Sequence, residues 1–174
     1  PLEENELISP EGVADYMKSI SRHKPRGYQI KGVYDALKFN RKLLISPTAS
    51  GKSLMIYTLT RYHLEHKRKV LIIVPTTSLV EQMFKDFTDY GWDSESYCHK
   101  IYSGKEKQSN LPVTITTWQS VYKLPKSYFE DLFQKLGTPH IARNYYLQCS
   151  FQMNLFENKL PLHIQYQYAE THYL

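Results

Sequence analysis

Lys42-Leu43-Leu44-Ile45-Ser46-Pro47-Thr48-Ala49-Ser50-Gly51-Lys52-Ser53 is the stretch on which the reading of this chain turns. Leu43, Leu44 and Ile45 read as a short buried strand, and Leu54, Thr58, Leu59 and Tyr62 recur at helical spacing just beyond the lysine, so strand, loop and helix are expected in that order. A loop in this setting presents several backbone N–H groups to one anion. Gly51 permits close approach of the backbone, and Lys52 sets an ammonium against the outer phosphates of a triphosphate. Ser53 then becomes the Mg²⁺ ligand. The pattern Gly-x-x-x-x-Gly-Lys-Ser/Thr is met from Gly51 onward, with Ser46 where its first glycine stands. The competing reading is an ordinary strand-to-helix turn that contains Gly-Lys-Ser by chance.

Outward from this loop, Val70 to Val74 is a continuous apolar run, which suits a strand covered on both faces, and Pro75 ends it without removing a needed ladder donor. Val113-Thr114-Ile115 reads as a further strand. Before the loop, Ser9-Pro10-Glu11 signals a capped helix start with Val13, Tyr16, Met17 and Ile20 on one stripe, and Ile30, Val33, Tyr34 and Leu37 mark a second helix after the break at His23-Lys24-Pro25-Arg26. Ser127-x-x-Glu130 is a capping box ahead of Phe129, Leu132, Phe133 and Leu136, with Gly137 as a stop. The expected fold is α/β, a mostly parallel sheet flanked by helices, with the ligand at the carboxyl ends of the strands.

Four elements resemble those of superfamily 2 helicases, in the family's order. Ser46 to Ser53 resembles motif I, in which a small residue often stands at the position of Ser46. Pro75-Thr76-Thr77-Ser78-Leu79-Val80-Glu81-Gln82 resembles motif Ia, and Thr116-Thr117-Trp118-Gln119-Ser120 resembles the later T-x-Q-S element. Arg26-Gly27-Tyr28-Gln29 resembles the element by which the family recognises adenine. The likeness spans roughly residues 7 to 130 and is nearest to a bacteriophage branch that remodels branched recombination and replication intermediates.

The resemblance implies a RecA-like P-loop lobe that uses ATP and Mg²⁺. It implies that Arg26, Gln29, Ser46, Thr48, Ala49, Ser50, Gly51, Lys52 and Ser53 bind ATP, with Ser53 also on the metal, and that Pro75, Thr76, Thr77, Gln82, Thr117, Gln119 and Ser120 contact single-stranded or branched DNA. From the residues alone, Gln29 reads equally as an adenine contact, with Tyr28 or Arg26 packed on the ring, or as a solvated helix start. Trp118 reads as a stacking platform or, slightly better, as a core side chain beside its strand.

The same family needs an Asp-Glu-x-His motif on the strand after Thr-Trp-Gln-Ser, and this chain has none. After Ser120 its acids are Glu130, Asp131, Glu157 and Glu170, with the adjacent pair inside an amphipathic run. Motif III and the second lobe with its arginine finger are missing too. No catalytic residue is assigned, and hydrolysis by the chain alone is expected to be weak or absent. Residues 131–174 hold three basic and three acidic side chains, so the entire net charge of +5 sits in residues 1–130. The lobe is therefore assigned to 1–130, with a leading helix over 9–22, and 131–174 to a divergent tail of unknown role. A shifted reading frame or early ending of a helicase gene accounts for such a tail; an Asp-Glu-x-His strand recovered from another frame supports that account, and its absence counts against it.

At 174 residues the chain is about one domain. It has no apolar run near the roughly 18 residues of a membrane span, and its Pro-Leu-Glu-Glu-Asn-Glu start is acidic where a signal peptide is basic. A soluble cytoplasmic protein is expected, in the host cytoplasm if phage-encoded, with no membrane and no evident protein partner. Cys98 and Cys149 are expected as reduced thiols, and the seven histidines lack metal-ligand spacing. Basic clusters at Arg22, Lys24 and Arg26, at Lys67 to Lys69, and at Lys100, Lys105 and Lys107 read mainly as solvated surface; on DNA they would give salt-sensitive, sequence-neutral binding. Two other readings stand beside the helicase lobe. One is a catalytically silent nucleotide- or nucleic-acid-binding module; the other is a small P-loop kinase or NTPase, which needs a lid and an acid of its own that the sequence does not display.

Overall fold

Ser9 opens the first helix, its hydroxyl accepting from Gly12 N–H at 3.0 Å with Pro10 in the first turn, as the capping pattern predicts. The computed structural model describes residues 9–39, 44–46, 49–102, 110–122 and 146–148. In chain order they form α1 (Pro10–Ile20), α2 (Gly27–Lys38), α3 (Lys52–Glu65), β1 (Val70–Val74), α4 (Thr77–Asp89), α5 (Ser94–Tyr97), β2 (Cys98–Ile101), β3 (Val113–Thr117), α6 (Trp118–Tyr122) and β4 (Tyr146–Gln148). The four strands make one sheet in the order β2-β3-β1-β4, with every pairing parallel. Val70 pairs with Val113 and Val74 with Thr117, so the carboxyl ends of β1 and β3 finish level. Thr116 Oγ1 donates to Ile101 O at 2.9 Å, which fastens β3 to β2.

Helix α3 lies at the centre of the helical layer. Its residues from Leu54 through Thr60 are all buried, as are Tyr62 and His63, so it is covered round most of its circumference rather than along the single stripe that periodicity predicts. Tyr57 is fully buried against Phe87, Tyr90 and Trp92, and its hydroxyl donates to Ile20 O at 2.8 Å, linking the end of α1 to α3. Val13 and Met17 of α1, Val33 of α2, and Val80, Met83 and Phe87 of α4 complete this core with the strand residues. Each such side chain contributes about 1.5–3 kcal/mol on burial.

The expected strand at Leu43 to Ile45 is not found where it is described. Residues 44–46 form no strand, and Leu44 and Ile45 are 44% and 79% exposed. In the sheet, β1 has β3 on one edge and β4 on the other, so residues 44–46 are not its neighbours. Leu44 instead lies by α2, where a Cβ added to Gly32 would meet its side chain at 3.2 Å. The edge partner comes from the tail, because Leu71 pairs with Tyr146 and Ile73 with Gln148. The capped helix expected after Ser127 lies outside the described residues. Trp118, read slightly in favour of the core, is 40% exposed. Cys98 is a free buried thiol, and burial pushes its pKa up to about 12.

His63 is buried in α3. Desolvation first, then the nearby charges of Arg68 and His66, push its pKa down from 6.5 to about 3. The unfolded chain therefore takes up a proton that the folded chain refuses. Stability is fully present above about 6.5 and declines as pH falls through that value toward about 3, by about 2 kcal/mol from pH ~7 to pH ~5. Urea melts at a series of pH values should show this slope, and His63→Gln should flatten it above pH ~5, where few carboxylates titrate.

Candidate functional site

The described residues of the loop, Ser46 and Ala49 to Gly51, lie at the start of α3. Ala49 and Gly51 both take left-handed backbone, with φ of 59° and 71°. Left-handed residues in a tight loop are the backbone condition for turning successive N–H groups toward one anion. Lys52 Nζ donates to Ser46 O at 2.9 Å, so the ammonium already spans the loop, and the Ser46 and Ser50 hydroxyls bond to each other. Thr48, the other predicted phosphate-loop residue, lies outside the described residues. The first turn of α3 adds N–H groups that no helical carbonyl satisfies. One ammonium, these N–H groups and the Ser53 hydroxyl form a donor set that suits a phosphate chain with Mg²⁺.

Gln29 is the brace beneath this loop. It is 4% exposed, which removes the reading of it as a solvated helix start. Its Oε1 accepts from Arg26 N–H at 2.8 Å, and its Nε2 donates to Ser50 O at 3.1 Å and to Gly51 O at 3.2 Å. Both amide protons are thus committed to the loop, and one lone pair on Oε1 remains for any ligand. Tyr28 adds a second tie, its hydroxyl donating to Ser50 O at 2.7 Å while Arg26 Nη1 donates to that hydroxyl at 3.2 Å. The Arg26-Gly27-Tyr28-Gln29 segment and the phosphate loop, separated by more than twenty residues, form one hydrogen-bonded unit.

Ser53 makes the contact that the sequence does not signal. Its Oγ lies 2.7 Å from Tyr90 Oη, and Tyr90 directly follows α4. Asp86, one turn earlier, is pushed up in pKa by burial, an effect opposed by its hydrogen bond with Ser53; Tyr90 is likewise pushed up by burial and held back by Ser53. The start of α3 therefore abuts the last turn of α4. Thr76 caps the first turn of the same helix, its Oγ1 accepting from Leu79 N–H at 3.3 Å. Helix α4 has 13 residues, about 20 Å at the usual rise. The phosphate loop and the Pro75–Thr77 segment thus meet opposite ends of one helix, and the loop does not share the carboxyl end of β1 as the sequence reading expects.

The residues predicted to meet DNA gather at the level carboxyl ends of β1 and β3. Thr76, Thr77 and Ser78 are exposed, Pro75 is half-buried, and Gln82 is exposed one turn beyond Ser78. Across from them, Gln119 is exposed, while Thr117 is buried with its hydroxyl 3.0 Å from that of Ser120. Of the basic clusters, Lys100 is occupied: it bonds Glu81 at 2.8 Å and sits 4.2 Å above the Phe84 ring. Arg22, Lys24 and Arg26 are exposed on the α1–α2 connection, where Arg26 reaches the loop through Tyr28 and Arg22 lies by Gly91.

The family model for the ResIII domain, described as the res subunit of type III restriction enzymes, matches residues 22–138. The chain belongs to the ResIII family. Within ResIII, the chain is 43% identical over 115 residues to the ATP-dependent DNA helicase UvsW of Enterobacteria phage T4, a match that covers 63% of this chain and 23% of that helicase. Two solved structures of T4 UvsW are similar in fold, each at 37% identity. One has a TM-score of 0.65 and covers 73% of this chain and 28% of that one; the other has 0.64 and covers 70% and 47%. The chain thus spans about a quarter to a half of the length of these relatives. The motif-based recognition of a helicase lobe and of its parallel α/β fold agrees with these matches.

Two residues of the site escape sequence reading, Tyr90 and Asp86. Neither lies in a motif, and Tyr90 stands 37 positions from Ser53, so no local pattern could join them. The loop's geometry makes a sharp prediction. Gly51 is left-handed, and a Cβ there would lie 2.4 Å from Gln29 Nε2. Gly51→Ala should cost about 1–3 kcal/mol of stability in urea melts, and the double variant with Gln29→Ala should recover the steric part but not the backbone part.

Proposed function

We propose that this ResIII chain is the ATP-binding and DNA-binding lobe of an ATP-dependent DNA helicase that remodels branched recombination and replication intermediates. The observation that carries the reading is the phosphate loop at α3, with Lys52 across it, Ser53 at the helix start and Gln29 braced beneath, in a chain 43% identical to a phage helicase over its matched part. Lys52 and the α3 N–H groups hold the β- and γ-phosphates, Ser53 offers its hydroxyl to Mg²⁺, and Arg26 and Gln29 stand where the base would lie. Bound Mg²⁺ would neutralise phosphate charge. DNA, single-stranded or branched, runs over Pro75 to Thr77, Gln82, Gln119 and Ser120, where hydroxyls and amides at helix starts suit phosphate oxygens. Its binding is salt-sensitive and indifferent to base sequence. Among the described residues no helix is long and apolar enough to cross a membrane.

A second reading, a module that binds nucleotide or DNA without turnover, is favoured by one specific feature. The strand that follows Thr-Trp-Gln-Ser among the described residues is β4, Tyr146-Leu147-Gln148, and it carries no acid to place a metal or an attacking water. The tail that supplies this strand gives the lobe an edge partner without chemistry. Both readings require nucleotide binding, and only the first requires turnover in the whole enzyme.

Calorimetry with Mg-ATP tests the shared part. The native chain should bind, Lys52→Ala should lose at least tenfold in affinity, and single-stranded DNA should strengthen binding if the two sites communicate. Binding unaffected by Lys52→Ala would remove the phosphate loop from the reading. ATP hydrolysis by the isolated chain should be at or near background, and steady turnover would instead require an acid outside the predicted motif.

A further inference from the structure

The chain has two tryptophans, and the fold treats them differently. Trp92 is 8% exposed, with the rings of Tyr57 and Phe87 each 5.9 Å away, Tyr97 stacked at 5.1 Å and the Arg61 guanidinium 5.4 Å from its centroid. It is a core side chain. Trp118 is 40% exposed, and among the described residues no ring or cation packs on it and its indole N–H meets no acceptor. An indole left in water forgoes one of the largest apolar burials that a side chain can make.

Its position gives that exposure a use. Val74 and Thr117 are the last pair of the β1–β3 ladder, so Pro75 and Trp118 leave the sheet side by side, from strands about 4.8 Å apart. The exposed Thr76, Thr77 and Ser78 follow on the β1 side, and the exposed Gln119 follows on the β3 side. The backbone that carries the indole is anchored: Thr117 is buried, its Oγ1 lies 3.0 Å from Ser120 Oγ, and Val121 is buried as well. One rim thus joins hydroxyls and an amide, which suit phosphate oxygens, to a flat apolar face, which suits a base. In a closed duplex the faces of the bases are covered by the stack and only their edges are open in the grooves. A single strand can lay a base face on a side chain.

We infer that Trp118 is a stacking platform for a base of single-stranded DNA, so that this rim engages a base as well as the sugar-phosphate backbone and favours an unpaired strand over a closed duplex. The inference rests on the DNA reading of the rim, which it sharpens from DNA in general to an unpaired strand. Every base has a face to stack, so the contact adds affinity without sequence preference.

The test is the affinity of the chain for labelled oligothymidylate and for an abasic strand of the same length, which keeps the phosphates and lacks the bases. Fluorescence anisotropy reads both, for the native chain, Trp118→Ala, Trp118→Phe and the double variant Thr77→Ala, Gln119→Ala. Trp118→Ala should weaken oligothymidylate binding roughly fivefold to a hundredfold, the range of base–aromatic stacking, while abasic binding and the melting midpoint stay close to native. Trp118→Phe keeps a ring and should restore most of the loss. The double variant should weaken both strands alike. Unchanged oligothymidylate affinity in Trp118→Ala overturns the inference, and leaves the DNA reading intact where the double variant still weakens binding. Equal losses on the two strands in Trp118→Ala overturn it as well, since the indole would then act through the backbone or the fold. A folded native chain that binds neither strand overturns the DNA reading and this inference with it.

Discussion

The burial of α3 on nearly every side is the constraint from which the rest of this structure follows. Helix α3 packs against α1, α2, α4 and β1, and its exposure is confined to its ends, Lys52 and Ser53 in the first turn and Arg61, Leu64 and Glu65 toward the last. The same enclosure fixes where the first turn stands, because Tyr57 is locked against Phe87, Tyr90 and Trp92 while its hydroxyl holds the end of α1. The start of α3 inherits its position from a packed core.

On that support the loop is held by polar bonds rather than by packing. Gln29, Tyr28 and Arg26 form a chain of donors that ends on the carbonyls of Ser50 and Gly51. The Gly51 carbonyl also accepts from Leu54 N–H at 3.1 Å, so it is the Ser50 carbonyl that depends on these side chains for its partners. Gly51 answers two demands at once, a left-handed backbone and the lack of a Cβ where Gln29 lies. An element read as a base-recognition motif therefore has a second duty, holding the phosphate loop in shape.

Helix α4 gives the lobe its internal geometry. Its first turn is capped by Thr76 beside the carboxyl end of β1, and its last turn meets Ser53 through Tyr90 and Asp86.

Much of this was legible in residue order. The strands β1 and β3 stood out as continuous apolar runs, α1 announced itself through Ser9 and Pro10, and Gly51-Lys52-Ser53 located the loop, because each depends on chemistry within a few residues. The apolar run at Leu43 to Ile45 was just as clear, yet Leu44 and Ile45 are exposed, and three residues of the tail hold the sheet edge instead. Hydrophobicity says that a segment favours burial, not which edge it wins. Sequence by itself determined helices α1 and α2, strands β1 and β3 and the parallel α/β class. Only the tertiary structure decided that Gln29 braces the phosphate loop, that Tyr90 claims Ser53, and that the loop and the Thr76 segment sit at opposite ends of α4. These are contacts between residues tens of positions apart, set by how whole elements pack, and no local pattern encodes them.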